Sequence, residues 1–404
     1  MAAFHRSLGR KVRVFKTGPD FIDPSLLEAA SGNPVYQLDL WMGGEEDCRG
    51  RLHRAAGDAD LILVEGVMGL FDGKPSGADL ARRFGIPVLA VIDAGAMAQT
   101  FAAVAYGLAN LDAKLPFYGV VANRVAGPRH AQMLLELLPE GMKFLGALPS
   151  RKEISFPERH LGLFMAGEMQ DLSGRIDEAA RIWGEHAGQA LPPQVSCEME
   201  TLRHPQRVLE GIRIAVAKDE AFCFLYRANL DLLEEMGASL EYFSPLRDKC
   251  LPDAESLYLP GGYPELHLER LSGNRCMLES IREHHAMGKP ILAECGGMLY
   301  CLDALSDLEG RKTPLLGILE GEASMQKGLT ALALQEVSLP EGGLRGHTYH
   351  HSKTTCLQAP DAHGACPNGS GTREGLYRKG RLAASYIHFY FPSCPQAAAR
   401  FFLP

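Results

Sequence analysis

Cys295 stands in the segment KPILAECGGMLY, where a short apolar run ends in Cys-Gly-Gly and a helix-like stretch follows. A side chain on such a strand-to-helix turn projects its reactive atom beyond the sheet, and the neighbouring glycines let substrate and backbone approach closely. A helix beginning at the turn also brings partial positive charge toward a thiolate. His388 lies in a second apolar run, LAASYIHFYF. From a neighbouring strand an imidazole can take the thiol proton and later serve a leaving ammonia, as in cysteine amidohydrolases. A third run, SLYLPGGYPE, carries Gly261 and Gly262, whose backbone N–H groups could form an oxyanion hole with that of Gly296. Each feature also has an ordinary reading, as a core cysteine, a structural histidine or a glycine turn. Their joint occurrence in this chain order favours the chemistry.

A second set of groups lies nearer the N-terminus: Asp20 and Asp23 in KTGPDFIDP, Asp39 in YQLDLW, and Glu65 and Asp72 in LILVEGVMGLFDG. Glu65 ends an apolar strand, the place where a Walker B-type acid meets a magnesium ion bound to phosphates. The Gly-rich turn after it would let phosphate or substrate reach the backbone. Taken singly, each acid also reads as a helix cap or turn residue. His347, His350 and His351 in GLRGHTYHHSKT suggest a metal less well. On a strand 347 and 351 share a face while 350 points away, and no nearby Cys or acid in the sequence completes a ligand set.

The elements that must hold these groups are α/β throughout. Residues 12 to 150 alternate strand-like runs (VRVFK, DLILVEG, IPVLAVIDA, FYGVVANRV, FLGALP) with helical patterns such as AQTFAAVAYGLAN, implying a parallel sheet covered on both faces. The polar, proline-containing stretch QALPPQVSCEMETLRHPQRV is the expected linker. The expected limits are 1–188 for a first domain, 189–210 for the linker and 211–404 for a second domain. The second starts with IRIAVAKDE, continues through LYRANLDLLEEMG and reaches the Cys295 turn, with reactive residues at strand ends where open sheets place their sites.

The 404 residues suffice for two or three domains, and 46% apolar with 22% charged residues is ordinary for a soluble globular protein. No apolar run reaches about 18 residues and the N-terminus lacks a secretory h-region, so no membrane partner and a cytoplasmic location are expected. Ten cysteines without a CxxC pair read as reduced thiols. With 41 basic and 49 acidic residues the formal charge is −8, and the basic residues are dispersed, which gives nucleic-acid binding little support.

In chain order, CGG, the late His and the PGGYPE turn resemble the glutamine amidotransferase domain of the cobyrinic acid a,c-diamide synthase and cobyric acid synthase group. KTGPDFIDP followed by VEGVMGLFDG is similar to the synthetase domain of the diamide branch, itself related to dethiobiotin synthetase and the MinD-like ATPases. The implied fold is a P-loop NTPase-like parallel sheet followed by a class I glutamine amidotransferase-like α/β domain. The resemblance implies that Cys295 forms a glutamyl thioester and that His388 raises its nucleophilicity. It makes Glu65 the magnesium ligand, Lys16 a phosphate-facing cation, and Asp20, Asp23, Asp39 and Asp72 acids shaping the metal and corrin carboxylate site. It puts glutamine near Tyr263 and Glu265, and gives the RGHTYHHS segment a contact with substrate or a domain interface. The implied partners are glutamine, ATP with Mg2+, and cobyrinic or hydrogenobyrinic acid, whose a and c acetates are amidated with ammonia passed internally. A homodimer is compatible with the resemblance.

Two departures from the wider pattern stand out. Triad amidotransferases carry a Glu two residues after the His, where this chain has Tyr390; the corrinoid branch also lacks that Glu. The family further opens with a strand and a GxxxxGK[ST] loop, and this chain contains no such string; its first residues match the end of the helix after the loop. A start codon placed too late is the expectation, with a weakened ATP site as the other outcome. The alternatives are a synthase that diamidates nickel sirohydrochlorin and a non-synthetic corrinoid- or partner-binding glutaminase remnant.

Overall fold

A computed structural model describes residues 1–156, 158–159, 162–163, 165–197, 204–367, 369 and 371–404. The chain divides into two units, Met1–Leu202 and Arg203–Pro404. Residues 189–197 and 204–207 carry neither helix nor strand, and the rest of the expected linker between them lies outside the described residues.

In the first unit, β1 (Val12–Thr17) lies between β2 (Tyr36–Leu38) and β3 (Leu61–Glu65), all parallel. Strand periodicity puts Val12 and Val14 of β1 with Leu61 and Leu63 of β3 in one apolar cluster. Lys16 and Glu65 continue those same faces to the strand ends, where they are register partners. A separate parallel sheet joins β4 (Val88–Asp93), β5 (Phe117–Val125) and β6 (Phe144–Pro149). The single covered sheet expected for this region is therefore two sheets of three strands. Among the described residues none pairs with the open edge of β3 or of β4, and Val91 on β4 is 57% exposed, unusual for a parallel strand.

In the second unit, ten strands concern the site: β7 (Arg213–Ala217), β8 (Ser239–Phe243), β9 (Ser256–Leu259), β10 (Ile291–Glu294), β11 (Ala331–Leu339), β12 (Gly342–His350), β13 (Ala362–His363), β14 (Gly375–Lys379), β15 (Leu382–Ser385) and β16 (His388–Phe389). A seven-stranded sheet runs β8-β7-β9-β10-β15-β14-β13, with parallel pairing from β8 to β15. Its central strands are apolar on both faces. Ala215, Leu257, Leu259, Ile291, Ala293 and Ala384 pack in one core, while Ile214, Val216, Tyr258, Leu292 and Ala383 pack in the other. Each fully buried Val, Leu or Ile contributes about 1.5–3 kcal/mol, so both layers resist displacement of the strand ends between them.

The run LAASYIHFYF is not one strand. Its first half is β15, beside β10; its second half is β16, which pairs with β12 in another sheet. The switch follows from the Cys295 turn, because β10 ends there and offers no further ladder beyond Ser385.

Candidate active site

Cys295 follows β10 and caps the helix Gly296–Cys301. Its φ of 44° and ψ of −105° are uncommon for a non-glycine residue, a conformation costing about 1–3 kcal/mol that packing must hold. The Cys295 N–H donates to the Ser385 carbonyl at 2.7 Å, and the Leu299 N–H donates to the Cys295 carbonyl at 2.9 Å. Gly297 lets the turn lie on β9, since a Cβ there would come 2.7 Å from the Leu259 carbonyl carbon.

Gly261 follows β9 and sits against the turn. A Cβ on it would lie 3.0 Å from His388 Nδ1 and 3.3 Å from Cys295 Cβ, so its missing side chain lets Cys295, His388 and the glycine turn converge. A Cβ on Gly296 would come 3.0 Å from Gly262 N, which brings the two backbone segments face to face. The Gly261 carbonyl accepts from the Phe224 N–H at 3.0 Å, and the planar trans peptide then turns the Gly262 N–H to the opposite side.

His388 is 1% exposed. Its ring stacks on His347 at 5.0 Å and meets Phe224 edge-on at 5.9 Å. His347 Nδ1 is 2.9 Å from the Tyr226 hydroxyl. Tyr390, at the position of the triad Glu, packs edge-on against Tyr226. Burial holds the His388 imidazole well below its ordinary range, with His347 and His350 adding to the effect. Burial likewise pushes the Cys295 thiol above its ordinary range, with Glu265 adding and the Gly296 N–H opposing. The resting pair is thus a neutral thiol and a neutral imidazole, an acid and a base.

The other histidines diverge. β12 ends at His350, so His351 does not share a strand face with His347 as the sequence suggested. His350 stacks on Tyr386 at 3.7 Å, with Nε2 3.1 Å from Glu374 Oε1, while His351 Nε2 is 3.4 Å from the Tyr349 hydroxyl. Among the described residues no three His, Cys, Asp or Glu groups are placed to hold a metal ion.

In the first unit Lys16, Asp20, Asp23 and Glu65 come together. The buried Lys16 Nζ lies 2.7 Å from Asp23, 3.5 Å from Glu65 and 3.7 Å from Asp20, and donates to the Gly66 carbonyl at 3.3 Å. Burial raises Asp20 and Glu65 above the usual carboxylate range, and Lys16 only partly offsets this. Asp39 and Asp72 close turns: Asp39 accepts from the Trp41 and Met42 N–H groups at 2.8 and 2.7 Å, and Asp72 from the Gly69 N–H at 3.0 Å.

Residues 1–164 match the CobQ/CobB/MinD/ParA nucleotide binding domain, and residues 213–395 match the CobB/CobQ-like glutamine amidotransferase domain. A hydrogenobyrinate a,c-diamide synthase of Pseudomonas aeruginosa is 61% identical over 404 residues, covering 100% of this chain and 93% of the relative. A cobyrinate a,c-diamide synthase of Herminiimonas arsenicoxydans is 45% identical over 409 residues, again 100% of this chain and 93% of the relative. The chain belongs to the cobyrinate and hydrogenobyrinate a,c-diamide synthase family. The α/β architecture read from the sequence holds in both halves of this diamide synthase family member. No helix among the described residues is long and apolar enough to cross a membrane, and none of the ten cysteines is in a disulfide.

The oxygen-only donors around Lys16 suit the family's nucleotide half. Magnesium takes one or two carboxylates together with phosphate oxygens rather than a dedicated protein cage. Three carboxylates surround one ammonium; burial chiefly, with the neighbouring acids adding, raises Asp20 and Glu65, and a divalent cation would relieve the crowding of acids. Sequence reading missed Glu294, buried directly before Cys295, and Glu374 beside His350. The acid ending an apolar strand was the available signal for Glu294; nothing local marks Glu374, which meets His350 only in space.

Proposed function

We propose that the chain amidates the a and c acetates of hydrogenobyrinic or cobyrinic acid, taking nitrogen from glutamine, with residues 1–188 as the synthetase part and 211–404 as the amidotransferase part. The convergence of Cys295, His388 and the Gly261–Gly262 turn carries this reading. His388 accepts the thiol proton as Cys295 Sγ attacks the γ-amide carbonyl of glutamine. Gly262 and Gly296 N–H groups stabilise the oxyanion, Gly261 supplying the clearance. The C–N bond breaks, ammonia leaves with the proton returned by His388, and a glutamyl thioester remains. Water, deprotonated by His388, then releases glutamate and restores the thiol. Because both partners rest neutral, the thiolate arises as the proton moves, not beforehand.

In the synthetase part Glu65 would hold Mg2+, with Lys16 toward phosphate and Asp20, Asp23, Asp39 and Asp72 shaping the surroundings. Magnesium-bound ATP, when present, activates the corrin carboxylate for amidation. Tyr263 and Glu265 border the glutamine site. The test is incubation of each corrin acid with glutamine, ATP and magnesium, followed by mass spectrometry. One and then two carboxylate-to-amide exchanges are expected. Consumption of glutamine with neither corrin gaining nitrogen would overturn the reading.

A further inference from the structure

The segment bearing His388 is held in an uneven way. On one edge β16 pairs with the backbone of β12, and the Tyr390 N–H donates to the Arg345 carbonyl at 2.8 Å. On the other edge side chains make the bonds. Glu294 Oε1 accepts from the Phe389 N–H at 3.1 Å, Asn229 Nδ2 donates to the Phe389 carbonyl at 2.7 Å, and the Phe391 N–H donates to Asn229 Oδ1 at 2.8 Å. Glu294 and Asn229 thus satisfy the backbone groups that a neighbouring strand would satisfy elsewhere, which buried N–H and C=O groups require.

Glu294 has a further property that Asn229 lacks. It is the last residue of β10 and precedes Cys295, while Phe389 follows His388. Its other oxygen, Oε2, accepts from the Tyr258 hydroxyl at 2.8 Å, which ties the same carboxyl to β9. All three strand ends of the site therefore meet at one buried side chain, 1% exposed, and one hydrogen bond links the residue before Cys295 to the residue after His388.

We propose that Glu294 is a positioning residue: through the Phe389 N–H it fixes the backbone that carries His388 at the distance from Cys295 that proton transfer needs. Burying a carboxyl is costly, and such a group is retained only where both oxygens have partners, as here. Burial pushes Glu294 up to about 8, with Tyr258 and Phe389 opposing, so near neutral pH the acid is largely uncharged. A neutral acid still offers its carbonyl oxygen to Phe389, and a glutamine side chain offers the same.

The experiment compares wild type, Glu294→Ala and Glu294→Gln by melting temperature, by glutamine hydrolysis and by the pH dependence of Cys295 alkylation with iodoacetamide, read by peptide mass spectrometry. Misplacement of a catalytic group by about 1 Å costs about 10²-fold, so Glu294→Ala should lose about that factor in kcat with KM little changed. Its alkylation profile should shift to higher pH, as the proton acceptor is no longer aligned. Glu294→Gln should restore both readouts to near wild type. Where the alanine variant does not fold, Glu294→Asp serves, since it withdraws the carboxyl by one methylene and should behave as the alanine is expected to. An unchanged kcat and alkylation profile in Glu294→Ala or Glu294→Asp, with only the melting temperature lowered, would overturn the proposal, as would a glutamine variant as impaired as the alanine one. The hydrolysis readout rests on the function proposed above; alkylation does not. Absent hydrolysis in wild type with the alkylation shift present would therefore count against that function and for Glu294.

Discussion

Gly261 and His388 are in such close contact that any side chain at 261 must displace the imidazole: a Cβ would lie 3.0 Å from Nδ1 and closer still to Cε1. Gly261→Ala should therefore push the ring out of line with Cys295, lowering kcat for glutamine hydrolysis by about 10²-fold. The overpacked core should lose about 1–3 kcal/mol, read from the urea midpoint. A wild-type kcat in a folded alanine variant would mean that the imidazole position is not what the turn protects.

His388→Asn removes the proton acceptor and should slow thioester formation by about 10²–10⁴ at neutral pH. Raising the pH should recover part of the rate as solvent ionises the thiol. An exposed cysteine would be half ionised near about pH 8.5, but burial lifts Cys295 above its ordinary range, so the rate should still be climbing there. Single-turnover rates across pH decide it: a wild-type rate at pH 7 removes His388 from the mechanism, and a plateau below about pH 9 contradicts the raised thiol.

The turn at Cys295 was legible because its signal is local: a short apolar run, then Cys-Gly-Gly, then helix. The same holds for Glu65, which ends the apolar run of β3, whereas Lys16 was marked only by the family resemblance and not by its own pattern. What escaped depends on partners distant in sequence. LAASYIHFYF reads as one strand because both halves are apolar, and only the end of β10 forces the second half onto β12. Glu294 looks like a strand-end acid until Phe389, 95 residues away, is seen to donate to it. Two separate three-stranded sheets replace the expected single one because strand patterns report burial on faces and not hydrogen bonding at edges.

Lys16 is the only ammonium placed among Asp20, Asp23 and Glu65 by the ion pairs of the described residues. Lys16→Met keeps most of the stem but leaves the acids facing one another, and should cost about 1–3 kcal/mol at neutral pH. The sign of its pH dependence follows from the direction of the acid shifts. Asp20 and Glu65 are already raised, and without the ammonium they rise further, so stability is retained at low pH and lost as pH rises through their folded-state values. Urea midpoints should therefore separate from wild type as pH rises above the ordinary carboxylate range and converge toward the acid end. A loss independent of pH would point to packing alone.

The most direct test of the proposed chemistry is the thiol itself. Wild type and Cys295→Ala are assayed side by side for glutamine hydrolysis and for covalent labelling by a glutamine-like electrophile, with the labelled peptide sequenced by mass spectrometry. The oxyanion hole alone cannot replace a covalent nucleophile, so the alanine variant should lose both activities while melting close to wild type, and the wild-type label should fall on Cys295. Hydrolysis persisting in the alanine variant, or a label on another of the ten cysteines, would contradict the assignment of Cys295 as the nucleophile.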